Sequence, residues 1–154
     1  MPPDSVPLPH WVFVYGTLKR GFPNHHLMPE AEFVGPCGTF DKIPLVIAGQ
    51  WYTPILIAGS GGHRVTGELY GVDDDGLAYL DDLEGIGRPL GFDRIQLEVD
   101  LANSWTVASA YAKPRDRIDI IHSEPLAEYH LDPRYVPGDQ RDQPDSGFGA
   151  KDLR

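Results

Sequence analysis

One carboxylate in this 154-residue chain lies on the wrong side of its helix. Residues 73–85 read Asp-Asp-Asp-Gly-Leu-Ala-Tyr-Leu-Asp-Asp-Leu-Glu-Gly: an aspartate N-cap, an acidic first turn and a glycine stop. At about 100° per residue, Leu77, Leu80 and Leu83 share one face, and Glu84 falls about 40° from its centre. Asp82 points nearly the opposite way, and Asp81 sits on the border. A carboxylate turned toward a core is strongly penalised unless it is paired or neutralised. The negative end of the helix dipole adds a smaller term of the same sign. Both raise its pKa, which is how a glutamate becomes a usable general base. Two plainer roles stay open from the residues alone. Glu84 can pair with Arg88 or Arg94, or swing into solvent at a frayed helix end.

A second place that can do chemistry is the turn Tyr15-Gly16-Thr17-Leu18-Lys19-Arg20-Gly21. It follows a short apolar run, and a strand that ends at glycine leaves successive N–H groups without ladder partners. Such groups can cradle an anion or a developing oxyanion. On composition alone, a plain tight turn without ligand is the commoner explanation. The G-x-x-x-x-G-K-[ST] phosphate loop is absent.

The remaining reactive residues lack a working pattern. His25 and His26 are adjacent and point apart on an extended chain, and the other histidines have no ligand spacing, so no metal site is expected. Asp73, Asp74 and Asp75 lack the alternation of a calcium loop, and helix capping explains them. Cys37, between Pro36 and Gly38, reads as a structural thiol.

The elements that must carry these residues are mostly strands. Residues 11–15 form a continuous apolar run, as in a strand buried on both faces. Residues 43–48, 55–58, 64–72 and 105–112 are further strands, with Gly67 weakening its strand or marking a bulge. Residues 92–101 alternate, with Ile95, Leu97, Val99 and Leu101 on one face and Arg94, Gln96, Glu98 and Asp100 on the other. A second, shorter helix is predicted from near Pro125 to Asp132. These elements imply an α+β protein: a small mixed β-barrel of about six strands with one or two flanking helices.

Composition narrows the function. The 17 glycines and 15 prolines make up about a fifth of the chain, which argues for turns over a helical bundle. A formal charge of −10 repels nucleic acid and anionic membranes, and no apolar stretch is long enough to span a bilayer. A lone cysteine excludes an internal disulfide framework and suits a reducing cytoplasm. Residues 1–10 are expected to be a flexible leader, 11–131 a single domain, and 132–154 a polar tail whose Arg134 and Tyr135 could reach back over a pocket.

Three segments taken together resemble the γ-glutamylcyclotransferase-like family, over roughly Val12 to Tyr111. Val12-Phe13-Val14-Tyr15-Gly16-Thr17-Leu18-Lys19-Arg20-Gly21 with Pro23-Asn24-His25 is similar to its opening signature. Pro44-Leu45-Val46-Ile47-Ala48-Gly49 resembles the γ-glutamylamine cyclotransferase branch. Gly67-Glu68-Leu69-Tyr70, followed by Leu80-Asp81-Asp82-Leu83-Glu84, is similar to the segment ending in that family's catalytic glutamate. The chain departs in two places. It has Phe92-Asp93-Arg94 where the family often has Tyr-x-Arg, and residues 85–91 form a longer stretch than in the γ-glutamylamine branch.

The resemblance implies a compact mixed barrel whose cavity joins Glu84, as catalytic acid/base, to Tyr15, Gly16, Thr17 and Leu18, as substrate-binding residues. It implies release of 5-oxoproline from a small γ-glutamyl amide such as γ-glutamyl-ε-lysine. That reaction carries its own nucleophile, the α-amine, so no metal or cofactor is expected; the expected partner is the small-molecule substrate, and oligomeric state stays open. Two alternatives remain: the same chemistry on another γ-glutamyl conjugate, and a non-catalytic small-molecule-binding module.

Overall fold

The computed structural model describes residues 9–102 and 104–141. Seven strands and one α-helix run β1 (His10–Val14), β2 (Glu32–Thr39), β3 (Leu45–Ala48), β4 (Thr53–Ile57), β5 (Thr66–Val72), α1 (Asp74–Leu83), β6 (Asp93–Leu101) and β7 (Ser104–Lys113). The sheet order is β1-β5-β2-β6-β7-β4-β3, and an additional β1–β7 pairing closes five of the strands into a barrel. The β1–β7 and β4–β7 pairings are parallel, and every other pairing is antiparallel. The α+β mixed barrel read from the sequence is therefore the observed architecture, with one α-helix.

Both faces of β1 are buried, as its unbroken apolar run requires. Phe13 and Tyr15 pack with Leu56, Leu69, Ala110 and Tyr129 on one side. Val12 and Val14 pack with Leu80, Leu83, Phe92 and Tyr111 on the other, beneath α1. In β6 the alternation also holds: Arg94, Gln96 and Glu98 are exposed, while Val99 is fully buried.

The structure departs from the sequence reading at several points. Strand β2 is a seventh strand that Gly35, Pro36 and Gly38 hide. Its pairing with β5 shifts register between Phe33 and Gly35, so the breaker residues sit at and just after a bulge rather than in a loop. The helix expected at residues 125–132 does not form. Leu126 N–H donates to the Leu45 carbonyl at 2.7 Å, and Thr66 N–H donates to the Ala127 carbonyl at 2.8 Å. The backbone there is satisfied by strand edges, and the segment sinks Tyr129 completely into the core. Residues 132–141, read as the start of a polar tail, continue along the barrel with Tyr135 buried. The rest of that tail, and nearly all of the leader, lie outside the described residues. Among the described residues, no helix is long and apolar enough to cross a membrane.

Gly67 marks no bulge. It sits in regular pairing, where a Cβ would strike the Val14 carbonyl oxygen and come within 2.8 Å of the Phe13 ring. The obstacle is backbone in a closed barrel and cannot yield. Gly67→Ala is expected to lose about 3 kcal/mol or more by overpacking, lowering the melting temperature by roughly 6–12 °C. A thermal melt at unchanged midpoint would contradict this packing.

Candidate active site

The end of α1 is built to hold one side chain still. Asp73 caps the start, its carboxylate accepting the Gly76 N–H at 2.8 Å. At the far end Gly85, at φ 75°, donates to the Asp82 carbonyl, and Ile86 N–H donates to the Asp81 carbonyl. This paired pattern is a Schellman cap, and it makes Glu84 the C-cap residue, directly after Leu83. The chain then folds back at residues 85–91 until Phe92 N–H donates to the Glu84 carbonyl at 3.0 Å. The return is tight. A Cβ on Gly91 would collide with the Gly85 carbonyl.

Glu84 is 2% exposed, on the same face as the buried Leu80 and Leu83. The two arginines that sequence offered as partners bind its neighbours. Arg88 reaches the carbonyl and carboxylate of Asp82, and Arg94 pairs with Asp81. The side chain therefore does not turn out to water.

The turn after β1 is fixed through its carbonyls. Lys19 N–H donates to the Gly16 carbonyl at 3.1 Å, and Asn24 N–H donates to the Thr17 carbonyl at 2.9 Å. His25 Nδ1 bonds the Leu18 carbonyl at 2.9 Å. Among the described residues, the N–H groups of Gly16, Thr17 and Leu18 donate no hydrogen bond, although all three residues are buried. Gly16 cannot carry a side chain here, because a Cβ would come within 2.8 Å of Pro54 Cγ. The Tyr15 hydroxyl donates to the Tyr111 carbonyl at 2.6 Å and accepts from Leu56 N–H at 3.3 Å, tying β1 to β7 and β4.

Tyr15, Gly16, Leu18, Leu80, Glu84 and Tyr111 line one pocket. It encloses about 20 Å³, room for about one water molecule. The structure thus brings together the suspected acid and three of the four turn residues. Thr17 is not in the lining. Its hydroxyl instead accepts from Asn24 Nδ2 at 2.9 Å.

Tyr111 is a pocket residue that sequence reasoning missed. Its hydroxyl donates to Asp81 at 2.7 Å, and the same carboxylate pairs with Arg94. Burial foremost, then the hydrogen bond and charge of Asp81, drive the phenol far above its ordinary range, so it stays protonated. In the sequence it was one more aromatic in a strand. The usable signal was Asp81, a carboxylate on the helix border three residues before Glu84.

The other reactive residues stand apart from the pocket. Cys37 is buried and its thiol is pushed up to about 12, chiefly by desolvation, so it is no nucleophile. Among the described residues, no three His, Cys, Asp or Glu side chains gather as a metal cluster.

Known proteins resemble this chain in sequence and fold. The profile of the family described as "Gamma-glutamyl cyclotransferase, AIG2-like" matches residues 12–130. The gamma-glutamylaminecyclotransferase of Rattus norvegicus is 47% identical over 94 residues, covering 57% of this chain and 62% of the rat protein. The Homo sapiens protein of the same name is 44% identical over 96 residues, covering 58% and 61%. The chain therefore spans about three-fifths of the length of these relatives. The crystal structure of an AIG2-like protein from Mus musculus superposes with a TM-score of 0.72 at 33% identity, covering 86% of this chain and 98% of that one. Sequence and fold agree over most of the molecule: the chain belongs to the gamma-glutamyl cyclotransferase, AIG2-like family.

Proposed function

We propose that this protein is a γ-glutamylamine cyclotransferase, a lyase that releases 5-oxoproline and a free amine from γ-glutamyl amides such as γ-glutamyl-ε-lysine. The observation that carries the reading is the meeting, in one pocket, of the buried Glu84 carboxyl and turn N–H groups that donate to nothing else among the described residues. The named relatives support the substrate class.

The substrate holds its own nucleophile, so the protein has three tasks: to fold the glutamyl chain, remove protons from the α-nitrogen and stabilise the oxyanion. Glu84 takes a proton from the α-ammonium. The freed amine attacks the γ-carbonyl carbon and closes a five-membered ring. The tetrahedral intermediate then collapses, the C–N bond to the departing amine breaks, and Glu84 delivers a proton to that nitrogen. Two protons leave the α-nitrogen and two reach the leaving amine, so the carboxyl ends as it began. The N–H groups of Gly16, Thr17 and Leu18 are assigned to the substrate's own anionic oxygens. Phe92 favours a second reading, the same reaction on another γ-glutamyl conjugate. Its ring is buried beneath Lys113 and brings no hydroxyl to the site. A reducing cytoplasm is the proposed compartment, supported by a single cysteine held as the thiol.

Three outcomes test the proposal. Purified protein should form 5-oxoproline from γ-glutamyl-ε-lysine, and Glu84→Gln should lower kcat by about 10²–10⁴ while the fold persists by circular dichroism. Full activity in that variant would remove the proposed base. The base must be ionised to act, so kcat should decline as pH falls and the Glu84 carboxylate is protonated; a rate rising toward acid would refute the assignment. A chelator should leave kcat unchanged, because the attacking group is the substrate's amine, and loss of turnover would contradict the mechanism.

A further inference from the structure

The family match ends at residue 130, yet the next eleven residues reach back to the turn after β1. Tyr135 is 9% exposed, and its hydroxyl accepts a hydrogen bond from Asn24 Nδ2 at 2.9 Å. The same Nδ2 donates to Thr17 Oγ1 at 2.9 Å, while Asn24 N–H donates to the Thr17 carbonyl at 2.9 Å. Thr17 is thus held by its side chain and its main chain through one asparagine, whose amide is oriented by a tyrosine 111 residues away. All three groups are buried, with Asn24 4% and Thr17 1% exposed.

The segment that brings Tyr135 in is itself anchored on the β3–β4 turn. Val136 N–H donates to the Trp51 carbonyl at 3.1 Å, and Arg141 lies over the Trp51 ring at 4.6 Å. Arg134 covers the Tyr52 ring at 4.6 Å and forks onto Asp132. That β3–β4 turn leads directly into Pro54, the residue packed against Gly16. Residues 132–141 therefore hold both supports of the turn, Asn24 from one side and the Pro54 hairpin from the other.

We propose that Tyr135 is a positioning residue for substrate binding. Its hydroxyl orients Asn24 so that the N–H groups of Gly16, Thr17 and Leu18 stay aimed at the substrate's carboxylate. The inference rests on the cyclotransferase reading for its substrate and on geometry for the relay. Removing the hydroxyl leaves a buried Asn24 N–H without its acceptor, so the amide turns or admits water, and Thr17 loses its fixed partner. A carboxylate is bound equally in ground and transition states, so its loosening weakens binding without slowing the chemical step.

The test compares wild type, Tyr135→Phe and Arg134→Ala on γ-glutamyl-ε-lysine, with amide hydrogen exchange read at residues 16–18. Tyr135→Phe should raise KM about five- to tenfold with kcat within twofold, and amide exchange in the turn should quicken. Arg134→Ala loosens an exposed ion pair of the same segment and should leave both constants within twofold. A Tyr135→Phe enzyme with wild-type KM overturns the proposal, whatever its kcat. An equal rise in KM for Arg134→Ala also overturns it, because general anchoring of the segment would then explain the effect. An inactive wild type defeats the cyclotransferase reading instead; exchange in the turn that does not change in Tyr135→Phe then still rejects the relay.

Discussion

The site depends on one strand edge being shared by two neighbours. Strand β7 uses its whole length on one side to pair with β6, from Asp93↔Ala112 to Leu101↔Ser104. Its other side is divided. β1 takes it at Ser109, and β4 takes it at Ala112 and Lys113. Where the second strand begins, the first has to leave, and β1 peels away after Val14. The Tyr15 hydroxyl closes the fork, donating to the Tyr111 carbonyl and accepting from Leu56 N–H. One phenol thereby replaces the ladder bonds that two strands cannot both make. The turn that follows has left its ladder without entering another, and the N–H groups of residues 16–18 consequently stay available.

The helix brings the complementary group to this vacancy in the ladder by a different economy. Its C-terminal carbonyls at Asp81 and Asp82 are satisfied by the Schellman cap, and the Glu84 carbonyl by the returning Phe92 N–H. With the backbone saturated, the side chain is the only polar feature that Glu84 contributes to the pocket. The nearby charges are sorted in the same direction. Asp81 is taken up by Tyr111 and Arg94, and Asp82 by Arg88, so the arginine charges are directed to the aspartates. Within so small a volume, oriented N–H dipoles act at low effective dielectric, where they would hold an anionic group more strongly than water-exposed donors do.

Legibility in the sequence followed the range of the interactions involved. Period-2 alternation in β6, the apolar run of β1 and the capped, amphipathic α1 are local patterns, and each corresponds to an observed element. The inward direction of Glu84 was legible for the same reason, since a helical angle needs only its own turns. β2 was not, because Gly35, Pro36 and Gly38 are breakers locally and acceptable only at a bulge beside β5. The expected helix near Pro125 failed through partners more than sixty residues away: Leu45, Thr66 and the core that receives Tyr129. Tyr111 escaped notice likewise, reading as one more strand aromatic until the fold sets it beside Asp81, and the reach of Tyr135 back toward the pocket was expected without its partner, Asn24.

Three glycines show what the arrangement demands of the chain beyond its polar groups. A Cβ at Gly67 would strike the Val14 carbonyl where β1 ends, one at Gly16 would press on Pro54, and one at Gly91 would collide with the Gly85 carbonyl behind Glu84. None of the three has a positive φ, so left-handed backbone is not what selects glycine there. They are places where one segment passes another at a distance that only hydrogen allows. All three border the pocket or its supports: the last residue of β1, the turn itself and the loop that returns to the acid. A barrel of this size keeps its acid and its amide donors within one small hollow only by drawing backbones this close. The motif glycines that look like turn punctuation in the sequence are, at these positions, the clearance that the site requires.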